Sequence, residues 1–207
     1  MHWVEWDGLH LPKRLSGHAA LDFCNTWAGW GERSEVGDEK RDWLRDYDHL
    51  AAWAGFADLL DADRTAALRR AAARQPGRAA DVLTEAREFR AQVYAAALDP
   101  GDRTALAAIS AQAGRAADVY RLIAGDDGVA RWTPTRGNPL DLPLLAVARA
   151  AADLVTSPSV RDVSACPGID CGWLFLDSRH RRRWCDMAAC GNRAKVAAHA
   201  RRARSAG

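Results

Sequence analysis

The sequence predicts an α+β protein: a mostly helical body over residues 1–160 that carries one small β-hairpin, then a compact metal-stapled unit over residues 161–207. Three observations lead there. Between residues 19 and 156, apolar side chains recur at spacings of three and four, the period of helices with one buried face. Residues 118–133 depart from that pattern, with near-alternation flanking Gly125-Asp-Asp-Gly128. Four of the five cysteines then fall between residues 166 and 190 as two C-x4-C pairs, 13 residues apart. That is the spacing of paired thiolate hooks around a tetrahedral metal.

Residues 1–18, with Trp3, Trp6, Gly8, Pro12 and Gly17, read as irregular or briefly extended chain. A helix is expected from Ala19 to Trp27. Its polar residues Asp22, Asn25 and Thr26 allow two readings, a buried and capped helix or contacts to a ligand pocket, while Cys24 reads as an inert buried thiol. Gly29, Gly31 and the charged run 32–42 predict a loop. Asp46 then caps a helix with Leu50, Trp53, Ala54, Ala57 and Leu60 inward. A second helix runs from about Asp63 to the break at Pro76-Gly77. The longest is expected over residues 80–98, stopped by Asp99-Pro100-Gly101, and Asp102 opens another to about Ala116. After the hairpin, residues 140–156 form the last body helix, with Pro143 in its first turn. Ser157-Pro158-Ser159 closes it beside the boundary at residue 160.

Composition bounds the function. With 48% hydrophobic and 27% charged residues, the chain is globular with a genuine core. No apolar run is long enough to span a bilayer, so no membrane partner is expected, and the first residues lack a secretory pattern. Clustered, paired cysteines favour a metal over a disulfide framework and a reducing, cytoplasmic setting. Residues 1–160 contain no G-x-S-x-G, no glycine-rich phosphate loop and no H-E-x-x-H; an enzyme is not expected. His2, His10, His18 and His49 lie apart and read as surface or internally satisfied residues. Seven of the nine tryptophans lie in the body, as core or as the lining of a small-ligand pocket.

The net charge of +2 is unevenly spread. Residues 161–207 carry ten Lys/Arg against four Asp/Glu, and residues 1–160 carry nineteen against twenty-three. A mildly acidic body with a basic tail points to a polyanion partner for the tail alone. In that tail, Cys166, Cys171, Cys185 and Cys190 are the expected Zn²⁺ ligands. Residues 172–177 read as a strand, and Arg181-Arg182-Arg183-Trp184 as its returning partner. A unit of about 45 residues buries little apolar surface, so the metal is expected to supply much of its folding free energy. The last helix is expected over residues 191–204. Val196, Ala197, Ala200 and Ala203 should face the hairpin, with Asn192, Lys195, His199 and Arg202 on another arc. Arg181, Arg182, Arg183, Arg193, Lys195, His199, Arg201, Arg202 and Arg204 are the expected DNA contacts.

These residues also carry a resemblance. Cys-x4-Cys-Gly-Trp-Leu-Phe-Leu-Asp, Arg-Arg-Trp-Cys and Cys-Gly-Asn-Arg-x-Lys resemble the CGNR-type zinc finger, which in that family stands C-terminal to an ABATE domain. Ala20-Leu-Asp-Phe-Cys-Asn-Thr26 is similar to the Ala-Leu-Asp-Phe-x-Asn-Thr signature of ABATE domains, with Cys24 where an aliphatic residue is expected. Together they cover nearly the whole chain. The resemblance implies a treble-clef zinc finger held by the four cysteines. It also implies a sensor-like helical domain for an unidentified small-molecule ligand, and a role in stress-related transcription regulation. The expectation is a ligand- or stress-responsive, zinc-dependent DNA-binding regulator. The alternative is an RNA- or protein-binding module on an N-terminal scaffold.

Overall fold

The computed structural model describes residues 2–30, 41–135, 137 and 139–205. The chain opens with an antiparallel hairpin, β1 (Trp3–Trp6) and β2 (Leu9–Pro12), in register from Trp3↔Pro12 to Trp6↔Leu9. Of the two readings for this segment, irregular or briefly extended, the structure shows the extended one, paired as a hairpin. Asp7 and Gly8 have φ of 49° and 75°, the pair of left-handed residues that a two-residue hairpin turn requires and that Asp-Gly supplies at little cost.

The remaining order is α1 (Ala19–Cys24), α2 (Tyr47–Phe56), α3 (Ala62–Arg74), α4 (Pro76–Leu98), α5 (Arg103–Val119), the hairpin β3 (Tyr120–Ala124) and β4 (Ala130–Pro134), and α6 (Leu142–Thr156). A 3₁₀ turn (Pro158–Asp162) leads to β5 (Val163–Ala165) and β6 (Leu174–Leu176), then a π-helical turn (Met187–Gly191) and α7 (Asn192–Ser205). The class is α+β as expected: helices build the body, and the described strands form three separate antiparallel pairs.

Acidic caps start α2, α3 and α5. Asp46 accepts the His49 N–H at 2.9 Å, Asp61 the Arg64 N–H at 2.7 Å, and Asp102 those of Thr104 and Ala105 at 2.9 and 3.0 Å. Helix α4 begins four residues earlier than expected. Pro76 serves as its first-turn residue, where a missing N–H costs nothing, and Gln75 alone separates it from α3. Of the expected loop, residues 31–40 lie outside the described residues. Asp42 ends it by taking two guanidinium N–H groups of buried Arg90, both at 2.8 Å.

The strand partner expected in the tail is also corrected. β6 pairs with β5, in register Val163↔Leu176 to Ala165↔Leu174. Residues 181–183 are irregular, because the Asp177 carboxylate accepts the N–H groups of Arg181 and Arg182 at 3.0 and 2.9 Å. Those groups therefore bond to one side chain rather than to a strand ladder.

Helix α1 is the hub. Five of its six residues are buried, and it packs on α4, α6 and β6. At its C-terminal end, the Asn25 side chain meets the backbone of Leu174. Asn25 Nδ2 donates to Leu174 O at 2.9 Å, and Leu174 N–H donates to Asn25 Oδ1 at 2.7 Å. The carboxamide thus completes Leu174 as a neighbouring strand would. Four further bonds follow the same seam. Gly29 N–H donates to Cys171 O at 2.8 Å, the Trp173 indole N–H to Trp27 O at 2.9 Å, Tyr94 OH to Gly172 O at 2.9 Å, and Leu176 N–H to Ser16 O at 2.8 Å. Gly172 has φ of 67°, and a Cβ there would lie 2.7 Å from Trp30 Cβ, so glycine alone allows this approach. Leu174 belongs to the same apolar core as Leu21, Phe23, Trp53 and Leu144.

Asn25→Asp should therefore cost more than Asn25→Ala. The carboxylate keeps the acceptor but opposes Leu174 O with a buried charge. Losses of about 3 kcal/mol or more and about 2 kcal/mol are expected from urea-denaturation midpoints. Equal, near-zero losses would remove the pairing from the account.

Candidate metal centre

Two elements bring the cysteines together. Cys166 and Cys171 lie in the β5–β6 connection, where Cys166 N–H bonds to Trp173 O at 2.8 Å. Cys185 precedes, and Cys190 lies within, the π-helical turn that leads into α7, and the Asp186 carboxylate caps that turn through the Ala188 N–H at 2.8 Å. All four Sγ atoms lie within 4.8 Å of one another, and all four residues are buried. A tetrahedron with metal–sulfur bonds of about 2.3 Å has sulfur–sulfur edges of about 3.8 Å. Two edges here measure 3.5 Å (Cys171–Cys185) and 3.6 Å (Cys185–Cys190). A disulfide would need about 2.05 Å, and all five cysteines are free thiols. The donor set fits a tetrahedral metal ion.

The thiols also fit in their proton balance. Hydrogen bonds from Cys171 and Cys185 pull the Cys166 thiol down to about 6, and those from Cys166, Cys171 and Cys185 push Cys190 below the ordinary thiol range. Cys171 and Cys185 move up as the donors to those thiolates. A bound cation would draw the remaining protons off. By contrast, burial raises Cys24 far above its ordinary value and leaves it a plain core thiol.

Sequence reasoning missed two neighbours of this cluster. Arg193 Nη2 donates to Cys190 Sγ at 3.0 Å. His2, read as one of several scattered histidines, places Nε2 3.7 Å from the same sulfur and packs edge-on against Trp173 at 4.8 Å. Arg193 stood three residues from a ligand, a spacing that could have revealed it. Nothing in the sequence relates His2 to Cys190.

The nine candidate nucleic-acid residues fall into two groups. Arg182 turns inward. Its guanidinium lies 4.4 Å from the centre of the Phe175 ring and donates to Leu15 O at 2.8 Å, to Trp184 O at 3.1 Å and to Cys185 O. Arg193 is bonded to Cys190 through one guanidinium nitrogen, although the residue is largely exposed. Arg181, Arg183, Lys195, His199, Arg201, Arg202 and Arg204 are exposed, with Arg183 over the Trp184 ring. The helix phase differs from the expectation. Ala194, Ala197 and Ala198 are the half-buried residues of α7, facing a groove bounded by residues 167–170, whereas Val196 is 63% exposed. Asn192, Lys195, His199 and Arg202 are exposed.

Asp22, Asn25 and Thr26 are buried and bonded to the protein itself. Asp22 Oδ1 accepts the N–H groups of Leu15 and Ser16, both at 3.0 Å, and burial raises its carboxyl above the ordinary carboxylate range. Thr26 Oγ1 donates to Phe23 O at 2.7 Å and accepts from Arg90 at 2.8 Å. The structure does not bring the three to one cavity. Asp22 alone lines the nearby cleft, with Val4, Lys13, Arg14, His18 and Phe56.

Gly168 tests the geometry of the knuckle. A Cβ there would lie 3.0 Å from Cys190 Sγ and 3.4 Å from Cys166 Sγ. Gly168→Ala should weaken metal binding about tenfold or more in competition with a chromogenic chelator. Gly77→Ala, where a Cβ meets nothing, should leave it unchanged.

Among the described residues, no helix is long and apolar enough to cross a membrane. No curated protein sequence matches the chain. Two family models do. Residues 163–203 match the CGNR zinc finger. Residues 17–158 match the ABATE model, described as "putative stress-induced transcription regulator". The four-cysteine centre, the helical body clasped to it and these two matches lead to one statement: the chain belongs to the ABATE family and ends in a CGNR zinc finger.

Proposed function

We propose that this chain is a zinc-dependent DNA-binding regulator whose α7 contacts the duplex. One observation carries the reading. Helix α7 spans fourteen residues with five Lys/Arg and no carboxylate. It is planted on the metal centre by its first turn, with Asn192, Lys195, His199 and Arg202 facing solvent. At 1.5 Å per residue the helix is about 21 Å long, and the major groove of B-DNA admits a helix of ordinary diameter. Arg181 and Arg183 stand ready for flanking phosphates, while Arg182 and Arg193 brace the platform. Zn²⁺ is the metal that four thiolates in a tetrahedron favour, and it would fold the knuckle without redox chemistry of its own.

The same reading includes a response to a small ligand. The cleft beside Asp22 has a volume of about 580 Å³ and carries Lys13, Arg14 and His18. One of its walls is continuous with the finger. Leu15 and Ser16 give their N–H groups to Asp22, while Leu15 O takes Arg182 and Ser16 O takes Leu176. A molecule that moves this strap would move Arg182 and the chain around Cys185.

Fluorescence anisotropy with duplex DNA across a salt series tests the main claim. The affinity should fall steeply with salt. Lys195→Glu with Arg202→Glu should reduce it more than tenfold and flatten the slope by about one for each phosphate no longer neutralised. Affinity indifferent to salt would contradict the claim, and tighter binding of structured RNA would favour an RNA module.

A further inference from the structure

Among the described residues, side chains from outside the cluster bond to Cys190. Cys190 meets Arg193 Nη2 at 3.0 Å and His2 Nε2 at 3.7 Å. The two donors come from opposite ends of the described chain. His2 is held in place by its edge-on contact with Trp173 and by the Lys13 N–H, which bonds to His2 O at 2.8 Å where the β1–β2 hairpin closes.

The tautomer of His2 follows from its surroundings. Nδ1 is buried and has no hydrogen-bond partner. A buried N–H without an acceptor costs more than a bare lone pair, so the proton belongs on Nε2, where a sulfur accepts it. His2 is therefore a donor to Cys190.

Cys190 also differs in what it faces. It lines a groove of about 760 Å³ between residues 167–170 and α7, shared with Ile169, Trp184, Met187 and Lys195. A chelator or electrophile entering from solvent along this groove meets Cys190 before the other three sulfurs. Cys190 is 1% exposed, with Arg193 and His2 both against its sulfur.

We propose that His2 and Arg193 form a donor cap on the Cys190 thiolate that retains the metal kinetically at this ligand; this rests on the reading that the four thiolates hold zinc. A thiolate that accepts two N–H bonds, one from a guanidinium, has part of its charge withdrawn and its lone pairs occupied. It is slower to be captured by a proton or an electrophile, the event that opens a metal–sulfur bond. The cap also makes the start of the chain part of the metal centre, 188 residues from the ligand it covers.

The test uses the full zinc-loaded chain and two readouts. One is zinc transfer to 4-(2-pyridylazo)resorcinol. The other is N-ethylmaleimide labelling mapped by peptide mass, where thiolate sulfur adds to the alkene and water supplies the proton. His2→Phe keeps a ring against Trp173 and removes the donor. It should speed both processes about tenfold, with label appearing first on Cys190. Arg193→Met should do the same through the other donor. His2→Gln, which places an N–H at similar reach, should behave close to the unaltered chain. The cap is overturned if His2→Phe and Arg193→Met release zinc and label at the original rate. It is also overturned if the added label falls first on another cysteine, or if His2→Gln is as fast as His2→Phe. A chain that takes up no zinc fails the metal reading instead.

Discussion

The reciprocal pairing of the Asn25 carboxamide with Leu174 is the constraint from which the rest of the architecture follows. Both groups are buried, so each would be left unsatisfied by any displacement of β6 from the end of α1. It fixes where the β5–β6 hairpin sits and therefore where Cys166 and Cys171 can present their sulfurs. The neighbouring bonds, from Gly29, the Trp173 indole and Tyr94, repeat the constraint along the chain from Cys171 to Trp173. The finger is accordingly an extension of the helical core, with Leu174 packed among the body's apolar residues. A metal unit too small to fold on its own surface gains from that attachment what it lacks in area.

Charge is organised around the same joint. Four thiolates with a divalent cation carry a net charge of −2, and the cations nearest the cluster are Arg193, which bonds to a ligand, and Arg182, which bonds to the Cys185 carbonyl. These two basic residues thus serve the finger's own structure. The outward arc of α7 keeps Lys195, His199 and Arg202 in solvent with no acidic residue on the same helix.

Much of this was legible in the sequence, and the exceptions have physical causes. The helical body, the β3–β4 hairpin and the four clustered cysteines follow from periodicity, turn residues and spacing, which are local quantities. The β1–β2 hairpin was also written locally, in Asp7-Gly8, and the tryptophans and proline around it obscured that turn. What could not be read is non-local. The pairing of β6 with β5 rather than with residues 181–184 depends on Asp177 consuming two N–H groups. The role of Asn25 depends on a backbone 149 residues away. His2 offered no pattern at all. Its place beside Cys190 exists only once the hairpin and the finger are folded against α1.

If body and finger form one bonded unit, the metal centre and α1 support each other. Hydrogen exchange of the full chain, with the metal bound and after its removal by a chelator, measures this directly. Metal removal should speed exchange at residues 15–17 and 21–29 of the body together with residues 163–176 of the finger. Exchange that quickens only within residues 166–205, with the body amides unchanged, would show two independent units and contradict the claim.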